Sequence, residues 1–334
     1  MNKNLKTVLI TGVSGFIGTA LSHELSGNYN ICAIDNNVNQ DICKAHKITM
    51  DYSDINDYEN ISKFINIHKP DIVIHCAGIA HQQTGKIDYD EYIRVNSLAT
   101  KNIAEIAAKI NPFVHFIFLS SISVYGENNI SDSISEDGQC KPSSDYGLSK
   151  LDAERCLMQL YNVACLKKLD ILRLAPVYDF AWSLNLDKRV FAPKKLAYLK
   201  FGSGDQEMSA VSRQNLTSFI DYRINQEKNS LETDCFCNII NVCDEKPYKF
   251  KEIINIFKQS NLYPNRLVLG VPLLLVWMAT RLAGLFLQDK RQWIYSCHDK
   301  LKFSLVFDNT KMLNTGFNHI NSLESVFLNN KDND

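Results

Sequence analysis

Tyr146 and Lys150, in the run Tyr-Gly-Leu-Ser-Lys, stand four residues apart and would share one face of a helix. A cation beside a phenol favours phenolate and lowers its pKa towards working pH, so such a pair can move protons as general base or acid. Two further constellations give the pair a context. Phe118-Leu119-Ser120-Ser121-Ile122-Ser123-Val124-Tyr125-Gly126 is an apolar run that ends in hydroxyls. A hydroxyl at the carboxyl end of a strand lies where open α/β sheets bind ligands. Near the N-terminus, Thr11-Gly12-Val13-Ser14-Gly15-Phe16-Ile17-Gly18 has the spacing G-x-x-G-x-x-G. Glycines there permit a tight turn and bring main chain close to a pyrophosphate, and the helix that follows offers free N–H groups to the phosphates. Asp35, 23 residues after Gly12, closes the next apolar run and can accept hydrogen bonds from both adenosine ribose hydroxyls. Its charge opposes a 2′-phosphate, and no Lys or Arg follows before Lys44, so the expected cofactor is NAD, with NADP as the lesser alternative.

These residues need a sheet to hold them. Strands are predicted at Thr7–Thr11, Tyr29–Asp35, Ile72–Cys76, Phe113–Ser120, Leu169–Leu174 and, returning late, Asn238–Val242. Ile72-Val73-Ile74 is apolar without alternation, as in strands covered on both faces. Helices are predicted at Ser97–Ile110 and Gly147–Tyr161, the second opened by Pro142, Ser143, Ser144 and Asp145. The implied fold is α/β, a Rossmann-type doubly wound parallel sheet with a smaller α/β substrate-binding domain. The dinucleotide domain is assigned to 1–178 and 210–244, and the substrate domain to 179–209 and 245–334.

Composition narrows the class. The 334 residues suffice for one large α/β domain and a smaller one. Lys and Arg total 36 against 37 for Asp and Glu, so no excess charge points to nucleic acid or anionic lipid. Ten cysteines lie scattered without zinc-binding spacing, which predicts reduced thiols, a cytoplasmic location and no metal site. Leu267 to Leu287 is rich in Leu, Val and Trp, but Pro272, Arg281 and Gly284 interrupt it. The expectation is a buried or groove-covering helix, with interfacial membrane contact as the second reading and no stable membrane insertion.

The three constellations together resemble the extended short-chain dehydrogenases/reductases, in particular the nucleotide-sugar epimerases, dehydratases and reductases. His75-Cys76-Ala77-Gly78, Val95-Asn96, Arg173-Leu174-Ala175-Pro176-Val177-Tyr178 and Asp308-Asn309-Thr310-Lys311 resemble further segments of that family. The likeness covers about residues 5 to 325. It implies a Ser/Tyr/Lys mechanism: Ser121 bonds the reacting sugar oxygen, Tyr146 moves its proton, and Lys150 holds the nicotinamide ribose and tunes Tyr146. The cofactor set it implies is Gly12, Gly15, Phe16, Ile17, Gly18, Asp35, Asn36, Asp51, Ala77, Gly78, Asn96, Tyr146, Lys150, Pro176 and Val177. Expected substrate contacts are His81, Ser123, Tyr178 and Arg213, with Ser120 and Ser123 also as supporting polar groups.

Departures from the family pattern refine the reaction. The 4,6-dehydratases carry Asp-Glu where this chain has Ile122-Ser123, and Ile122 cannot transfer a proton. Met208 occupies the place of a diphosphate-clamping Arg, seven before Asn215, and Asp179 replaces the Gly after Val-Tyr. The leading expectation is oxidoreduction at C4 of a UDP-sugar by a 4-epimerase, in the synthesis of cell-surface polysaccharide precursors. A reductase of a UDP-4-keto-6-deoxy-hexosamine comes second, because Val271-Pro272-Leu273-Leu274 resembles a segment of such reductases. A non-catalytic dinucleotide-binding sensor or scaffold comes third. A homodimer is expected through the helices at 97–110 and 147–161, since Ile103, Ile106, Leu151 and Leu157 exceed what one sheet-facing stripe needs.

Overall fold

A computed structural model describes residues 5–37, 44–46, 48–80, 87–126, 133–227, 234–260, 262–263, 266–288 and 291–329. The chain forms two compact units. The first comprises Met1–Gly126, Gln139–Arg173 and Thr217–Ile240, and the second Glu127–Gly138, Leu174–Leu216 and Asn241–Asp334.

In the first, β1 (Thr7–Thr11), β2 (Asn30–Asp35), β3 (Thr49–Tyr52), β4 (Ile72–His75), β5 (His115–Ser121) and β6 (Lys168–Leu174) join β11 (Phe236–Val242) in one sheet. Its order is β11-β6-β5-β4-β1-β2-β3, with β1 parallel to β2 and β4, β2 to β3, and β4 to β5. The reversal of order beside β1 is the switch point at which doubly wound sheets bind ligands. Strands β4, β5 and β6 are buried along their whole length; β4 and β5 are largely apolar, whereas β6 also buries Lys168, Asp170 and Arg173. The covering helices α1 (Phe16–Leu25), α2 (Tyr58–His68), α3 (Tyr89–Ile93), α4 (Ala99–Ile110) and α5 (Asp145–Asn162) fix the entry angles of the loops between them. Strand β3 escapes sequence reading because Thr-Met-Asp-Tyr shows neither an apolar run nor alternation.

Helix α4 begins later than its apolar period suggests, since 94–98 form a π-helical turn that shifts the register before it. Ile103, Ile106 and Leu157 belong to the first unit's own core, and Leu151 is buried as well. These four side chains are therefore covered within the chain, while Leu98 and Leu148 of the same two segments are exposed. Beneath β5 and β6 the core also holds a charged cluster. Asp170 accepts from Arg223 Nε at 3.0 Å and Asn238 Nδ2 at 2.9 Å, and lies 3.0 Å from His115 Nε2. Burial alone would raise the Asp170 pKa, but His115 and Arg223 outweigh it and hold the carboxyl well below its ordinary range.

The second unit continues with β7 (Val177–Tyr178), α6 (Leu184–Val190), β8 (Tyr198–Phe201), β9 (Glu207–Met208), β10 (Val211–Ser212) and α7 (Arg213–Glu227), whose later residues return to the first unit. After β11 come β12 (Tyr248–Lys249), α8 (Phe250–Gln259), β13 (Val268–Val271), α9 (Leu273–Phe286), α10 (Arg291–Lys302), α11 (Thr310–Leu313) and α12 (Leu323–Leu328). Its strands pair two by two, β7 with β10, β9 with β12 and β8 with β13. Tyr178, Phe191, Tyr198, Phe250, Phe257 and Phe327 pack into an aromatic core around α8. The expectation of a buried or groove-covering helix within 267–287 is overturned: only Gly284 of α9 is buried.

Candidate active site

The glycine loop leaves β1 through Gly12, whose φ of 72° is the left-handed region that favours glycine. A Cβ on Gly12 would lie 2.9 Å from the Ala77 main chain, and one on Gly18 would lie 2.1 Å from the Gly12 carbonyl oxygen. The loop, the end of β4 and the start of α1 thus meet closely enough to exclude side chains. Gly15 caps α1 with no side-chain hydrogen bond, and a helix N-terminus of this kind favours an anion. Asp35 accepts from Ser14 N–H at 2.8 Å and from Asn37 N–H at 2.9 Å, one donor on each carboxylate oxygen. A carboxylate oxygen has a second lone pair, so both remain able to accept from ribose hydroxyls.

Gly12, Gly15, Asp35, Asn36, Ala77 and Gly78 line one cavity of about 310 Å³. Asn37, Ser53, Ile55 and Val95 also line it, and sequence reasoning missed them because nothing in their own spacing marks a loop that folds back. Phe16, Ile17, Gly18 and Asp51 are not on that wall; Asp51 instead accepts from the Ser53 hydroxyl at 2.8 Å. Asn96 stands behind the cavity. Its amide accepts from Ile79 N–H at 2.7 Å and donates to Ile79 C=O at 2.9 Å and to Ser149 Oγ at 3.0 Å. It ties the loop after β4 to the turn of α5 that carries Lys150. These glycines, the uncapped helix start and the anchored carboxylate fit a dinucleotide.

The proton-transfer candidates come from β5 and α5. Ser144 caps α5 by accepting from Gly147 N–H at 3.1 Å, as its sequence signals predict. A Cβ on Gly147 would lie 2.7 Å from the Ser123 carbonyl oxygen, so glycine there lets the helix press against the end of β5. That approach brings Ser121 into a hydrogen bond with the Tyr146 phenol. The Ser121 hydroxyl also reaches Ser123 Oγ at 3.0 Å. Lys150 is buried, donates to the Leu119 carbonyl at 2.9 Å, and sits 4.7 Å from the centre of the Phe118 ring. Burial pushes its pKa down to about 8, partly opposed by Cys76 and Glu154.

One expectation is corrected here. The Tyr146 pKa is raised rather than lowered: burial raises it, the Ser121 hydrogen bond offsets part of the rise, and Tyr92 adds to it. Spacing placed the ammonium on the correct helix face, but its direct partners are a carbonyl and a ring of β5. Ser120 points away from the pair, to Glu154 Oε1 at 2.5 Å. Glu154 is in turn held by Arg173 through Oε1 at 3.1 Å and Oε2 at 2.7 Å, and Arg173 reaches Tyr125 Oη at 2.9 Å. This buried network fixes β5 against α5 and β6, and no sequence motif announced it.

Of the expected substrate residues, Ser123 lies beside Ser121, and His81 falls outside the described residues. In the second unit, Tyr178 donates to Asp244 Oδ2 at 2.7 Å, and Arg213 pairs with Asp179 Oδ2 at 2.5 Å. Tyr178, Asp179 and Arg213 line a cavity of about 420 Å³ in that unit. Asp179, a departure from the family pattern, is thus the partner of Arg213, an expected substrate contact. Met208 is buried in the aromatic core, so no ligand contact is made from that position. Pro176 and Val177 also belong to the second unit, where Pro176 C=O accepts from Val211 N–H at 3.1 Å.

Residues 8–178 match the model of the NAD dependent epimerase/dehydratase family. The chain belongs to that family. Membership makes it an enzyme class that works with NAD, in agreement with the Asp35 site. Among similar proteins of this family's kind, the UDP-glucose 4-epimerase of Vibrio cholerae is 32% identical over 225 residues, which is 64% of this chain and 65% of that one. The chain thus spans just under two thirds of that relative's length. The N-acetyl-alpha-D-glucosaminyl-diphospho-ditrans,octacis-undecaprenol 4-epimerase of Escherichia coli O157:H7 is 26% identical over 264 residues, 78% of this chain and 73% of that protein. The UDP-glucuronic acid 4-epimerase of Bacillus cereus, solved with NAD, shares the fold with a TM-score of 0.71, covering 96% of each chain at 19% identity.

Proposed function

We propose that this member of the family is a nucleotide-sugar 4-epimerase acting on a UDP-linked hexose or hexosamine, in the supply of precursors for cell-surface polysaccharide. The observation that carries the reading is the Ser121 hydroxyl bonded to the Tyr146 phenol, with Lys150 one turn further along α5. Two hydroxyls so placed can hold one substrate oxygen between them. Bound NAD would supply the hydride acceptor and donor, and inversion at C4 requires that the hydride return to the opposite face of the ketone. Tyr146 accepts the proton of the C4 hydroxyl as the ketone forms and gives it back as the alcohol is restored. The first step needs Tyr146 as phenolate, which burial opposes and the Ser121 bond favours, and the proton then taken from the sugar hydroxyl is the one Tyr146 returns in the second. Lys150 takes the nicotinamide ribose, and Asp35 takes the adenosine ribose and turns away a 2′-phosphate.

We assign the sugar nucleotide to the second unit, with Arg213 and Tyr178 among its contacts. The 4-epimerase names of the similar proteins support the UDP-linked substrate class. A second reading is a reductase of a UDP-4-keto-6-deoxy-hexosamine, favoured by the Val271–Leu274 segment. The test incubates purified protein with UDP-hexoses, UDP-N-acetylhexosamines and UDP-4-keto-6-deoxy sugars, with and without added NAD(P)H. A 4-epimerase interconverts C4 epimers without consuming reduced cofactor. Stoichiometric NAD(P)H oxidation with the keto sugar alone supports the reductase and sinks the epimerase.

A further inference from the structure

Within the second unit, the described residues between Leu267 and Leu287 carry a concentration of uncovered apolar side chains found nowhere else in the described chain. Leu274 is 64% exposed, Leu282 58%, Leu285 62% and Phe286 85%, with Leu275 and Trp277 about half exposed. Helix α9 packs one stripe against α10. There Gly284 admits the Tyr295 ring, which would lie 2.9 Å from a Cβ at that position, and Arg281 stacks on the same ring at 4.0 Å. Leu273 also lies against Gly202, while the exposed apolar side chains named above face outward. An isolated exposed leucine is ordinary, but a run of this extent marks a surface made to be covered.

The charge around the run says by what. From Ile253 to Lys302 the sequence holds seven Lys or Arg against two carboxylates, Asp289 and Asp299; of the cations, Arg266 lies over the Phe191 and Tyr263 rings. Lys290 and Arg291 follow α9, and α10 ends on Lys300 and Lys302. A second copy of the chain docked on the same face would set these cations mostly against their own counterparts, with only Asp289 and Asp299 to meet them. An anionic bilayer supplies the missing sign at its headgroups and the apolar depth just beneath them. At about 1.5 Å per residue, the 14-residue α9 is shorter than the ~30 Å hydrocarbon layer, and no helix among the described residues is long and apolar enough to cross a membrane. The element therefore suits lying in the interface rather than spanning it. Arg281, laid over the Tyr295 and Trp277 rings, can keep its guanidinium at headgroup level while the leucines go deeper.

We propose that α9, with the strand before it and the cationic end of α10 after it, docks the second unit on the surface of an anionic lipid bilayer. The inference stands apart from the choice of substrate and cofactor. Its test is flotation of the full-length protein with vesicles of phosphatidylcholine alone and of phosphatidylcholine with phosphatidylglycerol in equal parts, at low and high salt. The wild-type chain is expected to float with the anionic vesicles at low salt and much less with the neutral ones. The double change Leu282→Glu with Phe286→Glu, at two outward positions, should weaken partitioning more than about tenfold. Lys300→Glu with Lys302→Glu should weaken binding to anionic vesicles alone, which checks the electrostatic part without touching α9. NAD content and thermal transition report that each variant folds. A wild-type chain that stays in the soluble fraction with anionic vesicles overturns the proposal, as does a variant in α9 that floats as well as the wild type. An oligomer that dissociates to monomer on the Leu282/Phe286 change, without vesicle binding by the wild type, assigns the face to a second copy and overturns it too.

Discussion

Asp35→Asn tests the cofactor cradle with the smallest change of shape. In the native loop each carboxylate oxygen has its own main-chain donor, Ser14 N–H at 2.8 Å and Asn37 N–H at 2.9 Å. An asparagine offers one oxygen and one NH₂ group, so one of the two N–H donors must face another donor. The lost charge-assisted bond costs about 1.5–3 kcal/mol, shared between loop order and ligand binding. The ribose hydroxyls, meanwhile, exchange a charged acceptor for a single neutral one. A net loss of about 1.5–3 kcal/mol at the ligand corresponds to NAD binding weakened by ~10–100-fold. The variant also removes the charge that opposes a 2′-phosphate, so NADP should lose far less, within a few-fold. Calorimetric titration of NADH and NADPH into protein stripped of nucleotide gives both constants on one sample. Equal losses for the two cofactors, or no loss for NADH, would refute the placing of Asp35 at the adenosine ribose.

Gly18→Ala would put a methyl group 2.1 Å from the Gly12 carbonyl oxygen, which the backbone on both sides cannot yield, so the purified variant should carry little or no NAD; a full complement would contradict the tight loop. Asp170→Ala leaves Arg223 and His115 buried without their carboxylate and should cost about 3–5 kcal/mol in chemical denaturation, whereas a loss under about 1 kcal/mol would show that the cluster is not buried in solution. His75 is held neutral, its pKa pushed down to about 3 by burial first and Lys150 second, against an ordinary 6.5. The unfolded chain takes up that proton over the window between, so stability should fall as pH drops below about 6.5, by about 1 kcal/mol per unit, and a stability flat from pH 6.5 to 4.5 would count against it.

Much of the first unit was legible before any coordinates. The chain announces β1, the glycine loop and Asp35 because a dinucleotide turn needs glycine at fixed places, and Gly12 and Gly18 indeed leave no room for a side chain. The start of α5 was legible for the same kind of reason, since Ser144 can satisfy an N–H group that nothing else in the helix reaches. What spacing could not give is where long side chains end. Lys150 shares a helix face with Tyr146, yet its ammonium finds the Leu119 carbonyl, a partner 31 residues away in sequence. Nor does composition say whether an apolar residue is covered. Ile106 and Leu157, expected at an interface, lie in the chain's own core, while the leucines of α9, expected inside, are outside. The Ser120–Glu154–Arg173 network was invisible for a third reason: each member is an ordinary surface residue type until the sheet closes over it.

The central claim is that the Tyr146 phenol carries the proton of the reacting sugar hydroxyl. Tyr146→Phe removes one oxygen from a half-buried ring and leaves the glycine loop, Asp35 and Lys150 in place. Interconversion of the UDP-sugar C4 epimers, followed by chromatography of the released sugars, should fall by at least ~10²-fold, towards ~10⁴-fold. The bound NAD of the purified variant should stay within a few-fold of the wild-type content. Turnover near the wild-type rate, with the cofactor retained, would contradict the assignment of Tyr146 as the proton carrier.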